Sequence, residues 1–399
     1  MFSVKNKLDK NLRYLIDNKC YKSYRVLIQY KSLKSNLEKR LSSKGFLIYT
    51  FKSSNIICAN LPSNYIEKLI EYPEVSNIVF DEYLFLCGLS VSTANKHYVS
   101  KNFSLSGKNI GIGLVDSGIY PHDNLLYPHN NIGSFTDIVN NLKYPYDDNG
   151  HGTCMAGIIS DNGVNSNSIY KGVATGSKLH CYKAFDKLGK GYASDILFSI
   201  ESLSENAEVY NLKLLCLPFE LLTHNIFIIN VFNSAFYYCL EKGIIPIVPS
   251  GSNKNDFGSI MGIATLDNCI TVGGIDTSLT TKLYDYSSCG PYQKRCKPNI
   301  LCACANITSL NSDTSFYSEK NGMKLYPSKL NAEYKSFSGT SLSCAYVTGL
   351  CALLYEKHPN LTFDDIVSLL GLSCDKLEDL PKSKIGEGIL NTRKLFTDI

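Results

Sequence analysis

A short apolar run ending on a carboxylate constrains this chain most. Asn109-Ile110-Gly111-Ile112-Gly113-Leu114-Val115 leads directly into Asp116-Ser117-Gly118. A run with no polar alternation reads as a parallel strand buried on both faces, with Asp116 delivered at its C-terminal end. Further strands are predicted over Lys178 to Phe185, Val209 to Leu215, Gly243 to Pro249 and Cys269 to Gly274, with helices at Ser194 to Leu203 and Ile226 to Lys242. This alternation predicts an α/β fold, doubly wound around a mainly parallel sheet.

The first 88 residues read differently. Tyr24 to Tyr30 alternates like a strand, Ser35 to Lys44 is helical up to Gly45, and Ile56 to Leu61 is a second strand. Ser63 can cap a helix through Ile70, and Ser76 to Phe80 forms a further strand. The order suits a small ferredoxin-like α+β domain. The expected organisation is residues 1–88 as that domain, 89–107 as a linker and 108–399 as the large domain.

Two further stretches carry chemistry. Asp148-Asn149-Gly150-His151-Gly152-Thr153-Cys154-Met155-Ala156-Gly157 places His151 before a helix of small and apolar residues. Phe337-Ser338-Gly339-Thr340-Ser341-Leu342-Ser343-Cys344-Ala345 places Ser341 at the entry of a buried helix, whose N-terminus offers N–H groups to an oxyanion. A hydroxyl needs a general base to become a nucleophile, and the base needs a carboxylate to orient it. Asp116, His151 and Ser341 supply those three roles.

These motifs resemble those of the subtilisin-like serine proteases, the subtilases or peptidase S8 family. Val115-Asp116-Ser117-Gly118, His151-Gly152-Thr153 and Gly339-Thr340-Ser341 are similar to the family's Asp, His and Ser motifs, in the family's order. Lys183-Ala184-Phe185-Asp186, Tyr286 to Pro291 and Lys297-Pro298-Asn299-Ile300 are similar in kind. The resemblance implies a serine endopeptidase with Asp116, His151 and Ser341 as its triad and a polypeptide as substrate. It also implies that the N-terminal domain is a propeptide that assists folding and acts as an intramolecular inhibitor.

The departures set further expectations. Pro249-Ser250-Gly251-Ser252-Asn253 falls where the family's oxyanion-hole Asn follows Ala-Gly, so Asn253 or Ser252 is expected to serve. Ser250, Gly251, Gly189, Gly191 and Tyr192 are expected to line the substrate cleft. Lys213 and Leu215 are expected on the opposing strand, where they would narrow specificity. Cys154 stands where the family usually has His, one helical turn from His151. The alternative to a peptidase is a catalytically impaired pseudoprotease that binds peptides or partners.

Composition excludes other classes. The net charge of +4 is slight, and no Lys/Arg block suggests a nucleic-acid partner. No stretch is apolar for long enough to span a membrane, and Met1 to Lys10 lacks the apolar core of a secretory signal, so a cytoplasmic location is expected. The 15 cysteines are scattered and are expected as reduced thiols. They form no zinc pattern, so no metal or cofactor is expected. The oxygen-rich Asp161 to Asn167 loop reads equally as a Ca²⁺ loop and as an Asn/Gly turn.

Overall fold

The computed structural model describes residues 7–31, 34–86, 104–278, 280–293, 296–377 and 379–397. The expected linker, 89–107, lies outside them except for its last four residues.

The N-terminal unit runs α1 (Lys10–Asp17), β1 (Tyr24–Tyr30), α2 (Lys34–Ser42), β2 (Leu47–Thr50), β3 (Ile56–Leu61), α3 (Ser63–Leu69) and β4 (Val75–Phe80). Its sheet has the order β2-β3-β1-β4 with antiparallel neighbours, the β-α-β-β-α-β connectivity of a ferredoxin-like unit. Both faces of the sheet are covered. Val26, Ile28, Ile57 and Ala59 pack on Leu37, Leu41, Ile66 and Leu69 of the helices. On the other face Leu27, Phe51, Ile56, Cys58 and Val79 share a core with Ile196, Leu197 and Ile200 of the large domain. Two apolar faces explain why β1 and β3 are buried almost throughout, although strand side chains alternate between faces.

The large domain runs β6 (Gly111–Asp116), α4 (Asp123–Leu126), β7 (Ile132–Asp137), α5 (His151–Ser160), β8 (Lys178–Lys183), β9 (Lys190–Tyr192), α6 (Ala193–Glu205), α7 (Ala207–Tyr210), β10 (Leu212–Cys216), β11 (Phe219–Glu220), α8 (Ile226–Glu241), β12 (Ile245–Pro249), β13 (Ile270–Asp276) and, later, α9 (Thr340–Lys357). Between β4 and β6 lies β5 (Tyr83–Leu86). Among the described residues the main sheet is 10-stranded, and its neighbouring strands β13-β12-β10-β6-β8-β7 are all parallel, with β7 at one edge. Strand β6 is the first of this sheet in sequence and lies inside it, between β8 and β10. From it the chain first reaches β7 at the sheet edge and returns to β8 beside β6, then crosses to the other side and winds outward through β10, β12 and β13. Its C-terminal end is therefore the topological switch point, where open α/β sheets form their crevices. The large domain thus has the expected doubly wound α/β architecture.

Helices cover both faces. Ile112 and Leu114 of β6 share a core with Met155 and Ile159 of α5 and with Leu342, Val347 and Leu350 of α9. Val115 and Leu215 pack with Ile200 of α6 and with Phe232 and Phe236 of α8. Val209, expected in a strand, is in α7 and 80% exposed, because the chain makes one more helical turn before β10 begins. No helix among the described residues is long and apolar enough to cross a membrane.

Candidate active site

Asp116 closes β6 and is fully buried. His151 opens α5, and its Nδ1 lies 2.9 Å and 3.0 Å from the two carboxylate oxygens of Asp116. Burial raises the Asp116 carboxyl above the usual range, and the His151 contact pulls it back. Gly152 allows this approach. A β-carbon there would lie 2.0 Å from the carbonyl oxygen of Gly118 and 3.1 Å from the Asp116 β-carbon. The small residue after His151 is thus the reason α5 can seat against the turn that follows β6.

A second carboxylate, Asp147, holds this turn and the helix start together. It is fully buried and accepts from Ser117 Oγ at 2.9 Å, Gly150 N at 2.8 Å and Asn149 N at 3.1 Å on one oxygen. Its other oxygen accepts from Thr153 N at 2.8 Å and Thr153 Oγ1 at 2.6 Å. Beside it, fully buried Lys183 donates to Asp148 Oδ1 at 2.5 Å, Ser117 O at 2.6 Å and Phe185 O at 2.9 Å. A lysine inside a protein needs such partners, and these knit the ends of β6 and β8 to the loop before His151.

Ser341 lies in the first turn of α9, which packs beside α5. Its hydroxyl donates to the carbonyl of Pro218 at 3.1 Å. The preceding Thr340 donates its hydroxyl to Gly251 O at 3.1 Å, tying the loop after β12 to the head of α9. In that loop Ser250 N donates to Val272 O at 2.8 Å and Asn253 N to Ser288 Oγ at 2.8 Å. Ser252 donates its N–H to Glu220 Oε2 at 2.8 Å and its hydroxyl to the other oxygen of that carboxylate. The Ser252 hydroxyl is therefore occupied, while the backbone contact of Asn253 leaves its amide side chain uncommitted to Ser288.

Between these walls runs β5. It pairs antiparallel with β9 on one side, Tyr83 opposite Tyr192, Leu84 opposite Gly191 and Phe85 opposite Lys190. On the other side it pairs antiparallel with β11, Leu86 opposite Phe219 and Phe85 opposite Glu220. The Gly189 to Tyr192 segment thus borders a groove that already holds an added strand, an arrangement in which backbone pairing supplies affinity. The N-terminal unit is fastened next to it. Arg25 donates from Nε to Asp81 Oδ2 at 2.8 Å and to Ser194 Oγ at 3.0 Å, and its guanidinium lies 4.3 Å from the Tyr192 ring centre. Asp81 accepts Ser194 N at 3.0 Å, at the N-terminal turn of α6.

The opposing edge is not where the sequence suggested. Lys213 and Leu215 are in β10, which is hydrogen-bonded to β6 and β12 on its two sides and has no free edge. Leu215 is fully buried beneath Gly113, and Lys213 lies 6.0 Å from the ring of Tyr355, near the far end of α9 from Ser341. The edge that faces β5 is β11, reached only after the chain leaves the sheet at Leu217-Pro218. The central strand takes up Leu212 to Cys216, so the groove wall falls to the residues after it. Pro218, Glu220, Asp147 and the partners of Lys183 were not singled out. A proline with a carboxylate two residues on, just past a buried strand, is the one signal that could have found the first two.

Cys154 is fully buried in the core between α5 and α9, and burial pushes its thiol well above the ordinary range. The described cysteines are free thiols. In the Asp161 loop, Asp161 Oδ1 accepts from Asn124 Nδ2 at 2.7 Å and Gly163 N at 2.7 Å, and Asn162 Oδ1 accepts from Val164 N at 3.0 Å. No cluster of three or more His, Cys, Asp or Glu suited to a metal occurs among the described residues.

The Subtilase family profile matches residues 107–388, most of the chain. Serine protease AprX of Bacillus subtilis is 31% identical over 308 residues, covering 74% of this chain and 68% of that protein. Subtilisin DY of Bacillus licheniformis is 26% identical, covering 71% of this chain and 90% of its own length. Among solved structures, fervidolysin from Fervidobacterium pennivorans, a keratinolytic enzyme related to subtilisin, aligns with a TM-score of 0.70 at 16% identity. That alignment covers 94% of this chain and 61% of fervidolysin, and at such identity it speaks for the fold. The chain belongs to the subtilase family of serine peptidases.

Proposed function

We propose that this protein is a serine endopeptidase in which Ser341, His151 and Asp116 act as nucleophile, general base and orienting carboxylate. The observation that carries the reading is the Asp116–His151 contact at the switch point, beside the helix that bears Ser341. His151 takes the Ser341 proton as the hydroxyl attacks the scissile carbonyl, and returns it to the leaving amine. Water then repeats the sequence to release the acid. Asp116 holds the Nδ1 proton and stabilises the imidazolium. The Asn253 side-chain amide is the oxyanion donor in this reading, because Ser252 is bound to Glu220. Loss of such a donor costs roughly 100- to 1,000-fold in rate.

The N-terminal unit is an intramolecular inhibitor on this account. Its β5 lies paired on both sides in the groove a substrate would use, and the Arg25–Asp81–Ser194 cluster anchors it. Self-cleavage beyond Leu86 would free it; the expected cut, between Leu86 and Lys101, falls outside the described residues. Intact-mass measurement tests this. Wild-type protein loses the N-terminal unit with time, and Ser341→Ala keeps it. Active protein that always keeps its full length would make the unit a permanent module.

A further inference from the structure

This inference rests on the reading of the β9–β11 groove as the substrate's seat. Glu220 ends β11, and its side chain crosses from that strand to the loop after β12, where each carboxylate oxygen accepts from Ser252. It also lies against the bare α-carbon of Gly251, where a β-carbon would come within 2.8 Å of Oε2. Both walls lead to the nucleophile. Gly251 accepts from Thr340, and Pro218, two residues before Glu220, accepts from Ser341. Glu220 is 7% exposed, and no cation is paired with it among the described residues.

The register identifies the substrate residue concerned. Phe85 lies opposite Glu220 and Leu86 opposite Phe219. One step further, a bound peptide would set a residue opposite Pro218, beside Ser341. Residues two apart on a strand share a face, so this residue and Glu220 point to the same side. The side chain next to the bond to be cut therefore enters the space that Glu220 bridges.

We propose that Glu220 is the specificity-determining residue of this groove: its bridge to Ser252 closes the pocket, so the protein cleaves after small residues such as Gly, Ala, Ser or Cys. An aromatic or long aliphatic side chain would have to break both bonds of a buried carboxylate. A buried carboxylate without a cation could instead serve a Lys or Arg of the substrate. The peptide already seated in the groove speaks against that. Its sequence continues after Leu86 with Cys87 and Gly88, and the first basic residue is Lys96.

The test compares kcat/KM on matched peptides carrying Ala, Phe or Lys before the cleaved bond, for wild type, Glu220→Gln and Glu220→Gly. Each preparation is first titrated with a fluorophosphonate, so rates refer to reactive sites. Wild type is expected to favour Ala over both Phe and Lys by about tenfold or more, the scale of discrimination that a pocket's size supplies. Gln keeps the length and can still accept from Ser252, so it keeps the order. Gly opens the space and raises the Phe peptide by about tenfold. A wild-type preference for Lys that Gln abolishes would show a cation site and overturn the proposal, as would an unchanged order in the Gly variant. Wild-type protein that takes no fluorophosphonate would overturn the serine-peptidase reading as well, which separates the two failures.

Discussion

Asp147→Asn probes the hydrogen-bond frame around His151. The carboxylate accepts five bonds, three on one oxygen and two, both from Thr153, on the other. An amide replaces one oxygen by an NH₂ group. If the amide oxygen stays with Ser117, Asn149 and Gly150, the NH₂ meets the Thr153 N–H, and donor faces donor. Thr153 Oγ1 cannot reorient freely, because it also accepts Tyr120 N at 2.9 Å. The variant therefore weakens several charge-assisted bonds and orphans one buried N–H, each worth ~1–3 kcal/mol; with partial relaxation the loss should be about 3 kcal/mol. Gly150 and Thr153 bracket His151, so the imidazole should shift relative to Asp116, and a misplacement near 1 Å costs on the order of 100-fold in rate. Strands β9 and β11 are not attached to Asp147, so KM should hardly move. Urea unfolding and steady-state kinetics on one peptide measure both effects. A stability loss below ~0.5 kcal/mol with kcat within about twofold of wild type would refute the reasoning, since that is the range of ordinary surface substitutions.

Three further outcomes follow from buried groups. Lys183→Met leaves Asp148 buried without its cation and should destabilise by about 3–5 kcal/mol; adding Asp148→Asn should recover part of that in the same denaturation assay. His180 is held near a pKa of about 4, from 6.5, by burial against Tyr210. A lowered histidine favours the neutral folded form, so its contribution is present above pH ~6.5 and is lost as pH falls toward 4, roughly 3 kcal/mol in all. Wild type should therefore lose more stability than His180→Phe between pH 7 and pH 4, and equal slopes would count against this assignment. Gly152→Ala drives a methyl into the Gly118 carbonyl; activity should fall by at least about 100-fold through displacement of His151, with the far-UV circular dichroism spectrum retained.

The sheet and its site were legible where one residue type carries one physical demand. The run before Asp116 had to be buried on both faces, and His151 and Ser341 each precede small, apolar helices. Asp116 and His151 fall at element ends that meet, and α9, which carries Ser341 in its first turn, packs beside α5. The groove wall was harder to read. Lys213 and Leu215 lie in a segment whose composition suits either a central strand or an edge, and only pairing with both β6 and β12 decides between them. The role of Asp147 was hidden for another reason. All five of its bonds come from residues within or beside the Asp and His motifs, yet an Asp-Asp-Asn-Gly stretch in sequence looks like an ordinary turn. Glu220 likewise becomes informative only once Ser252, 32 residues away, is seen to hold it.

The central claim is that Ser341 is a nucleophile activated by His151. Fluorophosphonate labelling followed by peptide mapping tests it most directly. The account predicts one adduct per active chain, on the Ser341 hydroxyl, absent in Ser341→Ala and strongly slowed in His151→Ala. Wild-type protein, already freed of its N-terminal unit, that stays unlabelled at Ser341 or labels as fast without His151 would contradict it.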